Sequence, residues 1–272
     1  MDRNNLESKL GQLYRENFGK MVTALVSYFG LQNLAQAEDI VQETFVSAFR
    51  NWEKQGIPDN PLAWLYKVCK NKVINELNKK THQTELNYFQ LNSKDTVSYH
   101  IDQLFLDTEI KDNQLRLLFA CCHPVLSQKA QIILTLKSLA GFKVDEIARG
   151  MMMNEEAVAK MLVRTRKILK DNNIQLKVPF LLQSVPRLDA VHKTLYLIFN
   201  EGYSASSGNE FIRKDLCLEA LKLCKSLLNV PEISNSETQA LFSLMVFNIA
   251  RFDARIGSKG EMIELELQDR NV

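Results

Sequence analysis

Glycine and proline are scarce in this chain, ten and six among 272 residues, which argues against a fold stitched together by many tight turns and favours long helices. A charge excess is also missing, since 34 basic side chains face 32 acidic ones. Any surface for nucleic acid must therefore come from local clustering. No uninterrupted apolar run nears the ~18 residues of a membrane span. The N-terminal MDRNNLESK has no apolar stretch behind its charges, so the expectation is a cytoplasmic protein with no membrane partner.

The five cysteines, Cys69, Cys121, Cys122, Cys217 and Cys224, are odd in number and lack framework spacing, as expected of reduced thiols in a cytosolic compartment. The run Cys121-Cys122-His123-Pro124 invites a metal reading. Adjacent cysteines cannot easily both face one ion, however, and no CxxC pairs with them. Buried thiols in a helix beginning near Leu115 are the expectation. His82, His100, His123 and His192 are scattered, and no Ser-His-Asp, phosphate-loop or dinucleotide pattern is present. The chain reads as a non-enzyme without cofactor or metal.

Helical periodicity runs almost throughout, so the fold class is all-α. Four regions emerge: residues 1–81, a polar linker over 82–106, a helical block over 107–171 and a third over 172–272. A length of 272 residues suffices for one large core or two to three small ones. Pro179 and Pro186 bracket a boundary before the helical LDAVHKTLYLIF.

The stretch KVDEIARGMMMNEEAVAKMLVRTRKILK, Lys143 to Lys170, reads as two helices joined by a tight turn near Gly150. Asn154 is an N-cap, Glu155 and Glu156 occupy the positive first turn, and Arg164, Arg166, Lys167 and Lys170 lie toward the negative end. A helical wheel packs Ala157, Val158, Met161, Leu162, Thr165, Ile168 and Leu169 inward. It leaves Glu156, Ala159, Lys160, Val163 and Lys167 outward with Arg164 at the border. With the preceding QIILTLKSLAGF this makes a helix-turn-helix whose last helix suits a major groove. A solvated basic helix face is the plainer alternative. A helix-turn-helix does not by itself separate a repressor from a polymerase subunit.

The N-terminal block carries more than a simple repressor needs. Asn60-Pro61 opens a helix with a capping residue and a proline where the missing N–H is harmless. Over PLAWLYKVCKNKVINELNKK one face is Leu62, Leu65, Tyr66, Cys69, Val73 and Leu77, and the other presents Trp64, Lys67, Asn71, Asn75, Asn78 and Lys79. Amides, an aromatic ring and cations on one stripe suit unpaired bases and their phosphates. Trp64 could instead be part of the core, with the asparagines merely solvated. Upstream, in AEDIVQETFVSAFRNW, the residues Ile40, Val41, Phe45, Ala48, Phe49 and Trp52 pack, while Asp39, Gln42, Glu43, Val46 and Arg50 line the other side. Carboxylates repel phosphate, so a protein partner fits that edge better.

In this order, EDIVQETFVSAFRNW, then PLAWLYKVCKNKVINELNKK, a linker and a helix-turn-helix, the chain resembles bacterial sigma factors of the extracytoplasmic-function group over most of residues 10–171. The resemblance implies promoter DNA and core RNA polymerase as partners. It places Asp39, Gln42, Glu43 and Arg50 on the β′ clamp helices. It puts the loop from Gln55 to Asn60 at a flipped minus-ten base, with Trp64, Lys67, Asn71, Asn75 and Lys79 toward the opened strand. Glu155, Glu156, Lys160, Arg164 and Lys167 would lie on the minus-thirty-five duplex. The wheel makes Arg166 a flank-phosphate contact or helix-end charge rather than a base reader.

Beyond Lys170, LYLIFNEGYSASSG and IRKDLCLEALKL resemble a subgroup of these factors with a TPR-like helical C-terminal extension, and residues 209–228 fit an amphipathic helix. The polar NEGYSASSG, from Asn200 to Gly208, is either a regulatory loop displaying Asn200, Glu201, Tyr203 and Ser204 to the sigma modules or a regulatory protein, or a loop that caps the next helix. The subgroup usually runs on past Val272, so the chain is either truncated or natively short, and exposed apolar surface near Met262, Ile263, Leu265 and Leu267 would favour the former. Two other functions compete: a helix-turn-helix repressor with a C-terminal sensing domain, and a helical-repeat adaptor for proteins.

Overall fold

The computed structural model describes residues 3–83, 107–176, 181–204, 212, 214–231, 233–255, 257 and 263–268. These are all-α, with no strand among them. No helix among the described residues is long and apolar enough to cross a membrane. The helices are α1 (Arg3–Phe29), α2 (Leu34–Gln55), α3 (Pro61–Gln83), α4 (Asp107–Cys121), α5 (Gln128–Ser138), α6 (Val144–Gly150), α7 (Glu155–Asp171), α8 (Leu181–Tyr203), α9 (Lys214–Leu228), α10 (Ser236–Ile249) and α11 (Phe252–Arg255). The chain divides into two compact units, one of residues 1–114 with 169–176 and one of residues 115–168 with 177–272.

The first unit is built on α1, α2 and α3, with α2 packed against both neighbours. Its core takes Leu10, Phe18, Met21 and Leu25 from α1, Val41, Phe45, Ala48 and Trp52 from α2, and Leu65, Cys69 and Val73 from α3. These positions recur every three or four residues, so each helix buries one stripe and leaves the opposite side free. Truncating a residue such as Leu65 to alanine would cost about 2–5 kcal/mol. Helix α2 stops at Gly56, whose φ of 84° is open to glycine and strained for other residues. That break turns the chain toward Asn60, whose side chain accepts from the Ala63 N–H at 3.0 Å and starts α3 as the sequence predicts.

In the second unit α9 packs between α8 and α10, and α5 lies against α8. Cys122 Sγ is 3.9 Å from Thr194 Oγ1, and both residues are fully buried. One unit thus gathers helices from both sides of residue 171. All five cysteines are buried and none forms a disulfide, the placement expected for Cys121 and Cys122. Their helix begins at Asp107 rather than near Leu115, because its first two turns are polar and gave no apolar signal.

Three further expectations are corrected. Pro186 marks no boundary and lies inside α8. A proline's φ is already helical, and near a helix start it removes one bond without stopping the helix. Pro179 lies outside the described residues. The expected helix over 209–228 is a helix over Lys214–Leu228, with Ile212 outside it and residues 209–211 and 213 outside the described residues. Asn200, Glu201 and Tyr203 are the last turn of α8 rather than a loop, and the Ser204 N–H bonds to the Asn200 carbonyl at 2.9 Å. Ala205 to Gly208 and the linker over 84–106 lie outside the described residues, and α3 continues through Gln83.

Helix α10 buries Thr238 and Met245 while Leu244 and Phe247 stay exposed. Near the chain end Leu267 is exposed and Ile263 half-buried, whereas Met262 and the side chain of Leu265 lie outside the described residues.

Candidate functional site

The first unit carries two neighbouring edges of different chemistry. On α2, Asp39, Glu43 and Arg50 are exposed, Gln42 is half-buried, and Val46 is exposed among them. Their opposite stripe, Ile40, Val41, Phe45, Ala48 and Trp52, is buried, which orients the acidic edge outward. On α3, Lys67, Asn71 and Asn75 are exposed. The side chain of Lys79 lies outside the described residues.

Trp64 differs from its neighbours on that row. Its ring is half-buried and meets the edge of the buried Trp52 ring, with centroids 5.3 Å apart at 65°. One part of the indole serves the core, as the plainer of the two alternatives raised by the sequence has it, and the remainder stays accessible.

Between α2 and α3 lies an open cleft of about 330 Å³, walled by Gln36, Asp39, Ile40, Glu43, Lys72, Asn75 and Glu76. Lys72 Nζ stands 3.3 Å from Glu43 Oε2 across it. Asn75 therefore borders the carboxylates of α2, whereas Asn71 does not line the cleft. Lys72, Glu76 and Gln36 were not singled out from the sequence. Lys72 lies where the buried stripe of α3 meets its amide row, and only the tertiary pairing shows its partner.

The segment read from the sequence as a helix-turn-helix forms three helices, α5, α6 and α7, which lie in the second unit up to Ile168. Glu146 accepts from the Lys143 N–H at 2.7 Å to start α6. The helix ends with Met153 N–H on the Ala148 carbonyl at 2.8 Å and Met152 N–H on the Arg149 carbonyl at 3.1 Å. This is a Schellman ending with Met152 at the left-handed position, φ 51°. The sequence pointed to Gly150 for the turn, but that glycine is the last helical residue of α6.

Asn154 caps α7 as expected, its Oδ1 accepting from the Ala157 N–H at 2.7 Å. Val158, Leu162 and Thr165 are buried, and Glu155, Glu156, Ala159, Lys160, Val163, Arg164 and Lys167 are exposed. Lys160 Nζ and Glu156 Oε1 pair at 2.6 Å on this surface. Arg166, expected as a flank-phosphate contact or helix-end charge, is half-buried.

At the end of α8, Tyr203 lies in a ring stack rather than standing free. Its centroid is 5.9 Å from that of Phe199 and 6.0 Å from that of Phe252, and the Arg255 guanidinium lies 4.0 Å from the ring. This ties α8 to α11 and gives Tyr203 a packing role that its polar neighbours in sequence concealed.

With this geometry in place, the two ends of the chain prove similar to different family models. Residues 13–83 match Sigma-70 region 2, and residues 187–272 match a family of unknown function, DUF6596. The chain is 35% identical over 251 residues to uncharacterized protein R00370 of Rhizobium meliloti (strain 1021), covering 92% of this chain and 58% of that protein. It is 23% identical over 175 residues to the ECF RNA polymerase sigma-E factor of Haemophilus influenzae, covering 62% of this chain and 89% of the relative. A probable RNA polymerase sigma factor of the same organism is 25% identical over 146 residues, 50% of this chain and 75% of the relative. No solved structure matches.

Proposed function

We propose that the chain is a sigma factor, a polymerase subunit that acts by binding and gives the enzyme its promoter. The observation that carries this reading is that the Sigma-70 region 2 match covers the helices bearing the two contrasting edges. The edge of Asp39, Gln42, Glu43 and Arg50 on α2 docks on the β′ clamp helices of core polymerase, since its carboxylates disfavour phosphate. The edge of Trp64, Lys67, Asn71, Asn75 and Lys79 on α3, with the turn ending at Asn60, takes the opened minus-ten strand. There, amides meet base edges, the free part of the indole offers a stacking surface and the lysines meet phosphate.

The helix-turn-helix reads the minus-thirty-five duplex through Glu155, Glu156, Lys160, Arg164 and Lys167, with its first turns toward base edges and later cations toward phosphates. Each contact is weak alone, and joining the modules in one chain on polymerase raises the effective concentration of the second. The third block, TPR-like in our reading, regulates activity, and the end of α8 at Asn200, Glu201, Tyr203 and Ser204 is where that control would act. The protein works in the cytoplasm, where polymerase and promoter meet.

Transcription with purified core polymerase tests this reading: specific transcripts are expected only when both proteins are present. Duplex binding that needs no polymerase would replace it with a repressor, and binding to neither promoter element with an adaptor. The full chain is required, because residues 115–168 and 177–272 share one compact unit. Removing residues 172–272 would strip α8 from the buried face of α5.

A further inference from the structure

The exposed side of α7 divides into two rows at the four-residue spacing of a helix face. One row, Glu156, Lys160 and Arg164, is ionic. The other runs Glu155, Ala159, Val163 and Lys167, charged at its ends and apolar at its centre. Val163 is 67% exposed, and Ala159 beside it is exposed as well. A single exposed valine is ordinary on a protein surface. This one sits nine residues into the second helix of a helix-turn-helix, ringed by the exposed cations Lys160, Arg164 and Lys167. Valine is also a weaker helix former than the lysine, arginine or alanine that surround it, so α7 itself gains nothing from it there.

Charge complementarity selects the occupant. The cations draw a polyanion to this face, and the polyanion that accepts a helix is duplex DNA through its major groove. A valine pressed against a base edge leaves hydrogen-bonding groups without partners, at a cost in binding. The major-groove edge offers one apolar group, the 5-methyl of thymine. Resting on the reading of α7 as a duplex reader, we infer that Val163 selects thymine at one position of the upstream promoter element by contact with its 5-methyl group. Ala159, one turn earlier, is short enough to let the helix approach the base pairs. The ionic row supplies affinity and orientation, and the apolar row supplies the choice of base.

The test uses the full-length protein bound to core polymerase. An upstream half-site is selected from a pool of random duplexes, and each of its thymines is replaced in turn by deoxyuridine, which keeps the hydrogen-bonding edge and lacks the methyl. One replacement is expected to weaken binding about fourfold, the order of one buried methyl or methylene group. Val163→Ala should weaken binding to the thymine duplex by a similar factor and lose nothing further when that thymine becomes uracil. Its melting temperature should match the parent's, since the side chain is exposed. A half-site whose uracil replacements are all neutral, or a V163A protein that keeps the full uracil penalty, overturns the inference alone. A pool that yields no enriched half-site overturns it together with the duplex reading.

Discussion

Lys72 Nζ lies 3.3 Å from Glu43 Oε2, so the helix that presents Asn71 is tied by a cation to the helix that presents Asp39. The pair is a surface contact, with the Glu43 side chain 70% exposed, and such pairs contribute about 0–1 kcal/mol. The cleft beneath it brings the acidic edge of α2 and the amide edge of α3 to a common border. A partner on one edge is within reach of the other.

Replacing Asp39 and Glu43 together by lysine should abolish association with core polymerase and lower the stability of the first unit by no more than about 1 kcal/mol. Co-elution with purified core enzyme measures the first effect, and urea unfolding of the same variant measures the second. Association that survives the double substitution rules out this edge of α2 as the docking face.

Asn71 is exposed and does not line the cleft, so its amide is free to meet a strand without the carboxylates nearby. Asn71→Ala should reduce transcription from a duplex promoter several-fold more than from the same promoter already melted over the minus-ten element. That pattern marks capture of the opening strand. Equal losses on both templates would make Asn71 a reader of base identity instead.

Met152 adopts φ 51° with its side chain 97% exposed. A left-handed conformation costs an L-residue about 1–2 kcal/mol, and glycine avoids that cost while giving up some entropy of the unfolded chain. Met152→Gly should therefore stabilise the second unit by about 0.5–1 kcal/mol. A rise in the urea midpoint at unchanged slope checks it. A fall would mean that the methionine side chain makes contacts outweighing its backbone strain.

The parts of this protein legible in its sequence are those set by local rules. The inward stripes of α2, α3 and α7 follow helical spacing, and the caps at Asn60 and Asn154 follow from one side chain reaching a backbone N–H three residues on. What was not legible depends on distant partners or on side-chain length. Trp64 points outward on a wheel, yet its ring is long enough to reach back to Trp52. Glu43 and Lys72 are separated by 29 residues, and Tyr203 finds Phe252 and Arg255 only once α11 has folded back. The polar run after Phe199 resembled a loop because its composition is that of loops. Its first residues nevertheless complete α8, whose last turn is held by the Tyr203 stack.

The buried thiols give a pH dependence whose sign can be stated in advance. Burial pushes Cys69 and Cys122 up to about 12 and Cys224 up to about 11, from an ordinary value of 9.0. Above pH 9 the unfolded chain releases thiol protons that the folded chain keeps. Their contribution to stability is thus complete below pH 9 and is lost as pH rises toward 11–12. Urea unfolding between pH 8 and pH 10.5 should show falling stability, and Cys69→Ala should remove about one proton's worth of that slope, ~1.4 kcal/mol per pH unit at full titration. At pH 8 the native protein should resist iodoacetamide, and all five thiols should react once it is unfolded. A Cys69→Ala protein with the parent's slope would mean that this thiol ionises equally in both states. Such a result is incompatible with its position between Leu65 and Val73 in the core of the first unit.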